Sequence, residues 1–259
     1  MKKIRNQLWK LSWFINNYRN IQPGVRFIPP VFQGPVVYQA DGLMTSNNCD
    51  FIHEPRFKAA YAAAAATNPW DGFDMPWRMY IVCWFANWVK GLPGQFVECG
   101  VNTGAYSRAI LEYIDFKALN KTFYLLDTYE GLVPQQITEK EHNAGIGSYL
   151  HTYKNVYEQV METFKYFPVK IIKGAIPATL PQCDAREICY LSIDMNVIEP
   201  EIAAINYFWD KVVKGGVIIL DDYGFPKHIG QKLAFDKFAK DKNVEILSLP
   251  TGQAIIFKP

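Results

Sequence analysis

Gln95-Phe96-Val97-Glu98-Cys99-Gly100-Val101-Asn102-Thr103-Gly104-Ala105 is the stretch from which the fold is read. It starts as a short apolar run, breaks at a glycine, and opens into residues 105–114, whose apolar positions recur at helical spacing. Strand, tight turn and helix in that order begin a βαβ unit. Further toward the C-terminus, β-rich runs recur at 122–126, 169–172, 188–193 and 217–220, with helix-like stretches at 153–164, 199–213 and 229–240. This alternation predicts an α/β fold built on a mainly parallel sheet with helices on both faces. Residues 244–247 and 254–257, joined through Pro250-Thr251-Gly252, read as a closing antiparallel hairpin.

Toward the N-terminus the texture differs, so residues 1–94 read as a helical and irregular extension packing on a 95–259 domain. Residues 56–67, with their run of alanines, form a helix that Asn68-Pro69 stops. Residues 75–90 are strongly apolar and carry tryptophans, as a buried helix does, and Gly91-Leu92-Pro93-Gly94 ends it. Residues 21–57 are rich in Pro, Gly and Asn and read as an irregular, wrapping segment. Ile4, Leu8, Leu11, Ile15 and Tyr18 fall at helical spacing, which suits a helix packed on the domain or on a second copy in a homodimer. Attachment to a membrane surface is the competing reading. Lys10, Asn16 and Asn17 interrupt the apolar run, which makes it a poor signal peptide and too short for a transmembrane segment.

Of the 259 residues, 49% are hydrophobic and 20% charged, enough for a sizeable core. A net charge of +2 without a basic run argues against nucleic acid as a partner. The five cysteines are odd in number and scattered with no Cys-x-x-Cys pair, so neither a disulfide framework nor a zinc knuckle is indicated. Cys99 and Cys189 read as small core residues, and a reducing, cytoplasmic location is expected.

In an open parallel sheet, ligands bind beyond the carboxyl ends of the strands near the point where strand order reverses. Three constellations stand at such ends. In the first, Glu98-x-Gly100-x-x-x-Gly104, a carboxylate precedes the turn, which suits a cationic amino-acid ligand better than the pyrophosphate that a Gly-x-Gly-x-x-Gly turn would hold. A plain strand–helix turn is the alternative. In the second, Leu126-Asp127-Thr128, an acid about 20 residues past the glycines is placed to accept from ribose hydroxyls, or else simply to cap the turn after it. Gly174, past the third strand, passes near the same ligand or is an ordinary turn glycine. The third pairs Ile193-Asp194 with Leu220-Asp221-Asp222. Three carboxylates at one sheet edge repel one another unless a cation sits among them, and oxygen-only ligands suit Mg²⁺, Mn²⁺ or Ca²⁺. Aspartates that cap helices or face solvent are the plainer account.

Val97-Glu98-Cys99-Gly100-Val101, Leu126-Asp127-Thr128-Tyr129-Glu130-Gly131-Leu132, Ile193-Asp194-Met195 and Gly215-Gly216-Val217-Ile218-Ile219-Leu220-Asp221-Asp222-Tyr223-Gly224 resemble the macrocin O-methyltransferase (TylF-like) family. So do Asp41-Gly42-Leu43 and Phe57-Lys58-Ala59-Ala60-Tyr61, and the resemblance covers roughly residues 41–258. It implies a Rossmann-like class I methyltransferase fold with S-adenosylmethionine as donor. It also implies a metal on Asp194, Asp221 and Asp222, and hydroxyls of sugar-decorated natural products as acceptors. One departure is visible: Asn196 stands where the family often has a second aspartate.

On that basis the donor site is expected to draw on Glu98, Gly100, Asn102, Thr103, Gly104 and Ser107, with Asp127, Thr128 and Gly174 completing it. Mg²⁺ or another divalent cation at Asp194, Asp221 and Asp222 would lower the pKa of an acceptor hydroxyl and orient it. Candidates for proton removal are His228, just beyond Asp222-Tyr223-Gly224, then His142, and Asp194 itself. Residues 131–151 are polar and glycine-bearing, as a lid or an ordinary exposed loop would be. Trp70, Trp77 and Tyr106 are expected to pack in the core rather than stack on a substrate. The competing functions are a catechol-type phenolic O-methyltransferase, a nucleoside-binding pseudoenzyme and a nicotinamide-dependent oxidoreductase. The glycine spacing and the doubled aspartate argue against the last of these.

Overall fold

A computed structural model of the chain describes residues 34–147 and 155–259. The helix expected within residues 1–20 lies outside them, as do the end of the 131–151 segment and the first residues of the helix expected at 153–164. Contacts divide the chain into two units, Met1–Ile52 and His53–Pro259. In the first, the stretch read as irregular contains a hairpin of β1 (Tyr38–Ala40) and β2 (Leu43–Thr45). Its turn residues, Asp41 and Gly42, both have positive φ, as a tight two-residue hairpin requires.

The second unit holds a seven-stranded sheet: β3 (Gln95–Cys99), β4 (Phe123–Asp127), β5 (Val169–Lys173), β6 (Ile188–Ile193), β7 (Val212–Leu220), β8 (Leu247–Ser248) and β9 (Ala254–Phe257). Their spatial order is β5-β4-β3-β6-β7-β9-β8. The first five strands are parallel, and the expected hairpin closes the sheet with β9 antiparallel to both β7 and β8. The chain therefore runs outward from β3 through β4 to β5, then returns beside β3 with β6. Strand order reverses between β3 and β6.

Two helix layers follow from the alternation of side chains along the strands. Val97, Cys99, Leu126, Leu191, Ile193, Ile218 and Leu220 join one core with residues of α6 (Ile198–Phe208) and α7 (Ile229–Lys242). Phe96 and Glu98 consequently face the other layer, that of α1 (Pro55–Ala65), α2 (Pro76–Val89) and α3 (Ala105–Tyr113). There Phe96, Phe116, Phe123 and Tyr190 pack ring on ring, with centroids 5.0–6.2 Å apart. Helices α1 and α2, which sequence reading placed in the extension, thus belong to the same compact unit as the sheet. Each begins with proline in its first turn, where the missing N–H costs nothing.

One element differs from expectation. The helix read at 199–213 stops at Phe208, turns once through Trp209–Lys211, and the chain is already strand at Val212. Apolar periodicity continues through Val212 and Val213, but β-branched residues ahead of Gly215-Gly216 suit an extended ladder better. A register shift between Ile188 and Tyr190 absorbs the extra residues of β7. Among the described residues no helix is long and apolar enough to cross a membrane.

Candidate active site

At the carboxyl ends of β3, β4, β5 and β6 the backbones are locked together. Asp194 N donates to Cys99 O at 2.8 Å, Gly100 N to Leu126 O at 2.9 Å, and Gly174 N to Asp127 O at 2.9 Å. Gly100 has a φ of 88°, and a Cβ there would overlap the backbone oxygen of Asp194. Gly104 has a φ of 89° and lies against the ring of Phe164 in α5 (Tyr157–Phe164). Both glycines are thus required by close packing within the protein.

Asp127 ties the first two strand ends. Its Oδ2 accepts from the N–H groups of Val101 and Asn102 at 2.6 and 2.9 Å, and its Oδ1 from Tyr129 N at 2.6 Å. The carboxylate therefore caps the turn after it and also holds the preceding loop. Thr128 Oγ1 donates to Gly131 O at 2.6 Å. Thr103 turns away from the strand ends, its hydroxyl 3.0 Å from that of Thr67 beyond the end of α1.

Glu98, Asn102 and Ser107 bring three polar atoms to this loop, none in a geometrically complete hydrogen bond, although Ser107 lies close enough to the Glu98 carboxylate to favour its charged form. Glu98 Oε2, Asn102 Oδ1 and Ser107 Oγ are all buried and lack a hydrogen-bond partner among the described residues. Burial pushes the Glu98 carboxyl up to about 8; the adjacent Ser107 hydroxyl opposes the rise, and the charges of Asp127 and Asp221 add to it. Unpartnered buried acceptors cost free energy, which a cationic donor such as an amino acid's ammonium would recover.

Across the β3–β6 boundary, Asp194, Asp221 and Asp222 bring carboxylate oxygens within 4.8 Å of one another. Paired ends of β6 and β7 set this up, since Ile193 stands opposite Leu220 and Asp221 N donates to Ile193 O at 3.1 Å. Burial first, then the charges of Asp221 and Asp222, hold the Asp194 carboxyl well above the usual carboxylate range. Such a cluster of hard oxygen donors suits a divalent cation of the Mg²⁺, Mn²⁺ or Ca²⁺ kind. Asn196, at a φ of 60°, turns its Nδ2 to Asp194 Oδ1 at 3.2 Å, so its side chain donates to the cluster.

Of the expected proton acceptors, His228 is buried with Nδ1 3.7 Å from Asp222 Oδ2 and against Gln231 Oε1. His142 is exposed on the short helix α4 (Glu139–Asn143) and makes no hydrogen bond or ion pair to the aspartates. That helix carries a Thr138–Glu141 capping box, and Glu141 Oε1 accepts from Ile198 N at 2.8 Å. The described part of the 131–151 segment is therefore anchored to the start of α6.

Several polar residues escaped the sequence reading. Asp221 Oδ1 accepts from Tyr106 Oη at 2.7 Å and Gln253 Nε2 at 3.0 Å, and its Oδ2 meets the Arg78 guanidinium. Tyr106 is buried as expected, but its working contact is this hydroxyl. Trp77 is half-buried, and Trp70, expected in the core, is 47% exposed with its ring edge to face with Phe73. Behind Asp222, the buried Glu201 accepts from Met195 N at 3.0 Å, and burial followed by the Asp222 charge pushes it up to about 8. Signals for two of these were present. Arg78 is the lone charge in the apolar helix α2, and Glu201 falls on the apolar stripe of α6 with Ala204, Ile205 and Phe208.

Comparison with known proteins adds a family. Residues 81–248 match the family described as Macrocin-O-methyltransferase (TylF). Among solved structures, the chain is similar to the O-methyltransferase NovP with a TM-score of 0.64 at 19% identity, over 78% of this chain and 96% of that one. It is similar to CalS11, a calicheamicin methyltransferase, with a TM-score of 0.58 at 14% identity, over 82% and 98%. The SAH-bound Podospora anserina methyltransferase PaMTH1 gives 0.53 at 16% identity, over 80% and 88%. At these identities the structures show a shared fold. No curated protein matches the chain.

Proposed function

Since the chain belongs to the macrocin O-methyltransferase (TylF) family and is an S-adenosylmethionine-dependent O-methyltransferase, we propose that it methylates a hydroxyl of a sugar or glycosylated small molecule, with a divalent cation held by Asp194, Asp221 and Asp222. The observation that carries this reading is a juxtaposition at the strand-order reversal. Buried, unpartnered acceptors of Glu98 and Asn102 lie on one side, and three converging carboxylates on the other. The Asp194–Cys99 backbone hydrogen bond joins the two sides. The sugar-decorated acceptors that the family resemblance implies and the likeness to the calicheamicin methyltransferase CalS11 support the substrate class.

Bound S-adenosylmethionine supplies an electrophilic methyl group, and a divalent cation supplies a Lewis acid that makes a hydroxyl more acidic. The protein's own groups do the positioning, which accounts for much of the rate of such a transfer. Glu98 and Asn102 would hold the donor's amino-acid end. Asp127 fixes the loop that carries Asn102 and would stand beside the ribose. His228 takes the hydroxyl proton. The Gln231 amide oxygen against Nδ1 fixes the ring beside Asp222.

Incubation of the full chain with methyl-labelled S-adenosylmethionine and a panel of glycosides and catechols, with Mg²⁺ or with chelator, tests the reading. Label on a glycoside hydroxyl, lost with chelator, is expected. Label confined to catechols would shift the substrate class, and label unaffected by chelator would remove the metal.

A further inference from the structure

Within the aspartate cluster, Asp221 is engaged on both carboxylate oxygens. Tyr106 and Gln253 both donate to Oδ1, which takes up both of its lone pairs. A cation that reaches Asp221 must therefore coordinate through Oδ2, and Oδ2 is the atom that the Arg78 guanidinium holds. Arg78 is well placed to stay there. It projects from α2, its side chain is only 13% exposed, and its guanidinium lies 5.2 Å from the centroid of the Phe225 ring. Gln253, the residue that donates to Oδ1, also lies 3.5 Å from the backbone oxygen of Arg78. Helix α2, the end of β7 and the turn before β9 thus fix one arrangement.

We propose that Arg78 is the resident counter-cation of the three aspartates, and that a divalent cation binds there in exchange for the Arg78–Asp221 contact. The proposal rests on the metal reading above. Without a metal, the guanidinium offsets negative charge in the cluster, most directly that of Asp221, and lets the cluster persist in a buried setting. Two cations on a single carboxylate oxygen repel at short range, so a divalent ion weakens the Arg78 contact and Arg78 weakens the ion's affinity. Metal occupancy is then set by competition inside the protein rather than by the aspartates alone. Lysine would compete less well than arginine, because its ammonium is more strongly hydrated and lacks the planar fork.

Mn²⁺ binding to the full-length protein, followed through the paramagnetic resonance signal of the free ion, tests this without any assay of turnover. Arg78→Gln is expected to tighten Mn²⁺ binding by about tenfold and Arg78→Lys by about threefold. The ligand-free Arg78→Gln protein should unfold at lower temperature than wild type, and Mn²⁺ should restore it. If the glutamine variant does not fold, the lysine variant alone decides. Binding unchanged or weakened in the folded Arg78 variants, with wild type binding normally, would overturn the exchange and leave Arg78 as a strut that orients Asp221. Asp194→Asn is the reference for the site itself. If it binds as wild type does, or if no form binds Mn²⁺, the metal reading falls and the exchange falls with it.

Discussion

His228 Nδ1 stands 3.7 Å from Asp222 Oδ2 and against the amide oxygen of Gln231, so the imidazole of the proposed proton acceptor is fixed through Nδ1. Replacing it with asparagine keeps a polar group but removes the basic nitrogen. Proton transfer by a positioned side chain contributes roughly 10²- to 10⁴-fold. His228→Asn is expected to lower kcat by about 10²-fold, with the affinity for S-adenosylhomocysteine changed less than about twofold. Steady-state kinetics paired with calorimetry separates the two. A kcat within a factor of three of wild type would move the proton to Asp194.

A second prediction concerns Glu98. Its carboxyl is pushed up to about 8, so the ligand-free site is largely protonated near neutrality, whereas a ligand's ammonium favours the ionised form. Below pH 8, binding then requires loss of a proton. Affinity for S-adenosylhomocysteine should rise between pH 6 and 7.5, approaching about tenfold per unit at the acid end. Glu98→Gln should abolish that slope. A wild-type affinity that is flat with pH would mean that Glu98 does not meet the ammonium.

Stability should run the other way. Glu98 and Glu201 are both pushed up to about 8 from an ordinary value of 4.5. Between those limits the folded state binds more protons than the unfolded state. Their contribution is therefore fully present below about pH 4.5 and is lost as the pH rises through 8. The ligand-free protein should unfold several degrees lower at pH 8.5 than at pH 6, and Glu98→Gln and Glu201→Gln should each flatten the decline. A midpoint that rises across this range would contradict the buried-acid account.

Gly100 carries a steric prediction. Gly100→Ala must overlap the backbone oxygen of Asp194 and also adopt a φ of 88°. Gly145 has a φ of 90° but, among the described residues, nothing within 4 Å of its would-be Cβ. The left-handed conformation alone costs roughly 1–2 kcal/mol, so Gly145→Ala should lose about that much. Gly100→Ala should lose clearly more and weaken Mn²⁺ binding by displacing Asp194. Equal losses in chemical denaturation would show that the β3–β6 contact is looser than described.

The sheet was legible because each parallel strand is a short apolar run ending in glycine or acid, and because the chain alternates between two periods. The same logic put Asp194, Asp221 and Asp222 at adjacent strand ends, where the structure brings them together. What stayed illegible is partnership at a distance. Arg78 is visible as a lone charge on α2, but nothing local says that its partner lies 143 positions away. Asp127 offers two readings, acceptor of ribose hydroxyls or cap of its own turn, and the structure shows the cap together with a hold on the 101–102 loop that neither reading contained. The end of α6 was misplaced because Val212-Val213 satisfies a helical stripe and a β ladder equally well.

A donor site at the β3–β4 ends beside a carboxylate cluster should show in thermal unfolding of the full chain with S-adenosylhomocysteine, with NAD⁺ as control. At about 100 times its dissociation constant, a ligand that binds only the folded state adds about 2.7 kcal/mol. A clear rise is expected with S-adenosylhomocysteine, none with NAD⁺, and a loss of the rise in Glu98→Gln. A midpoint indifferent to saturating S-adenosylhomocysteine, or raised instead by NAD⁺, would contradict it.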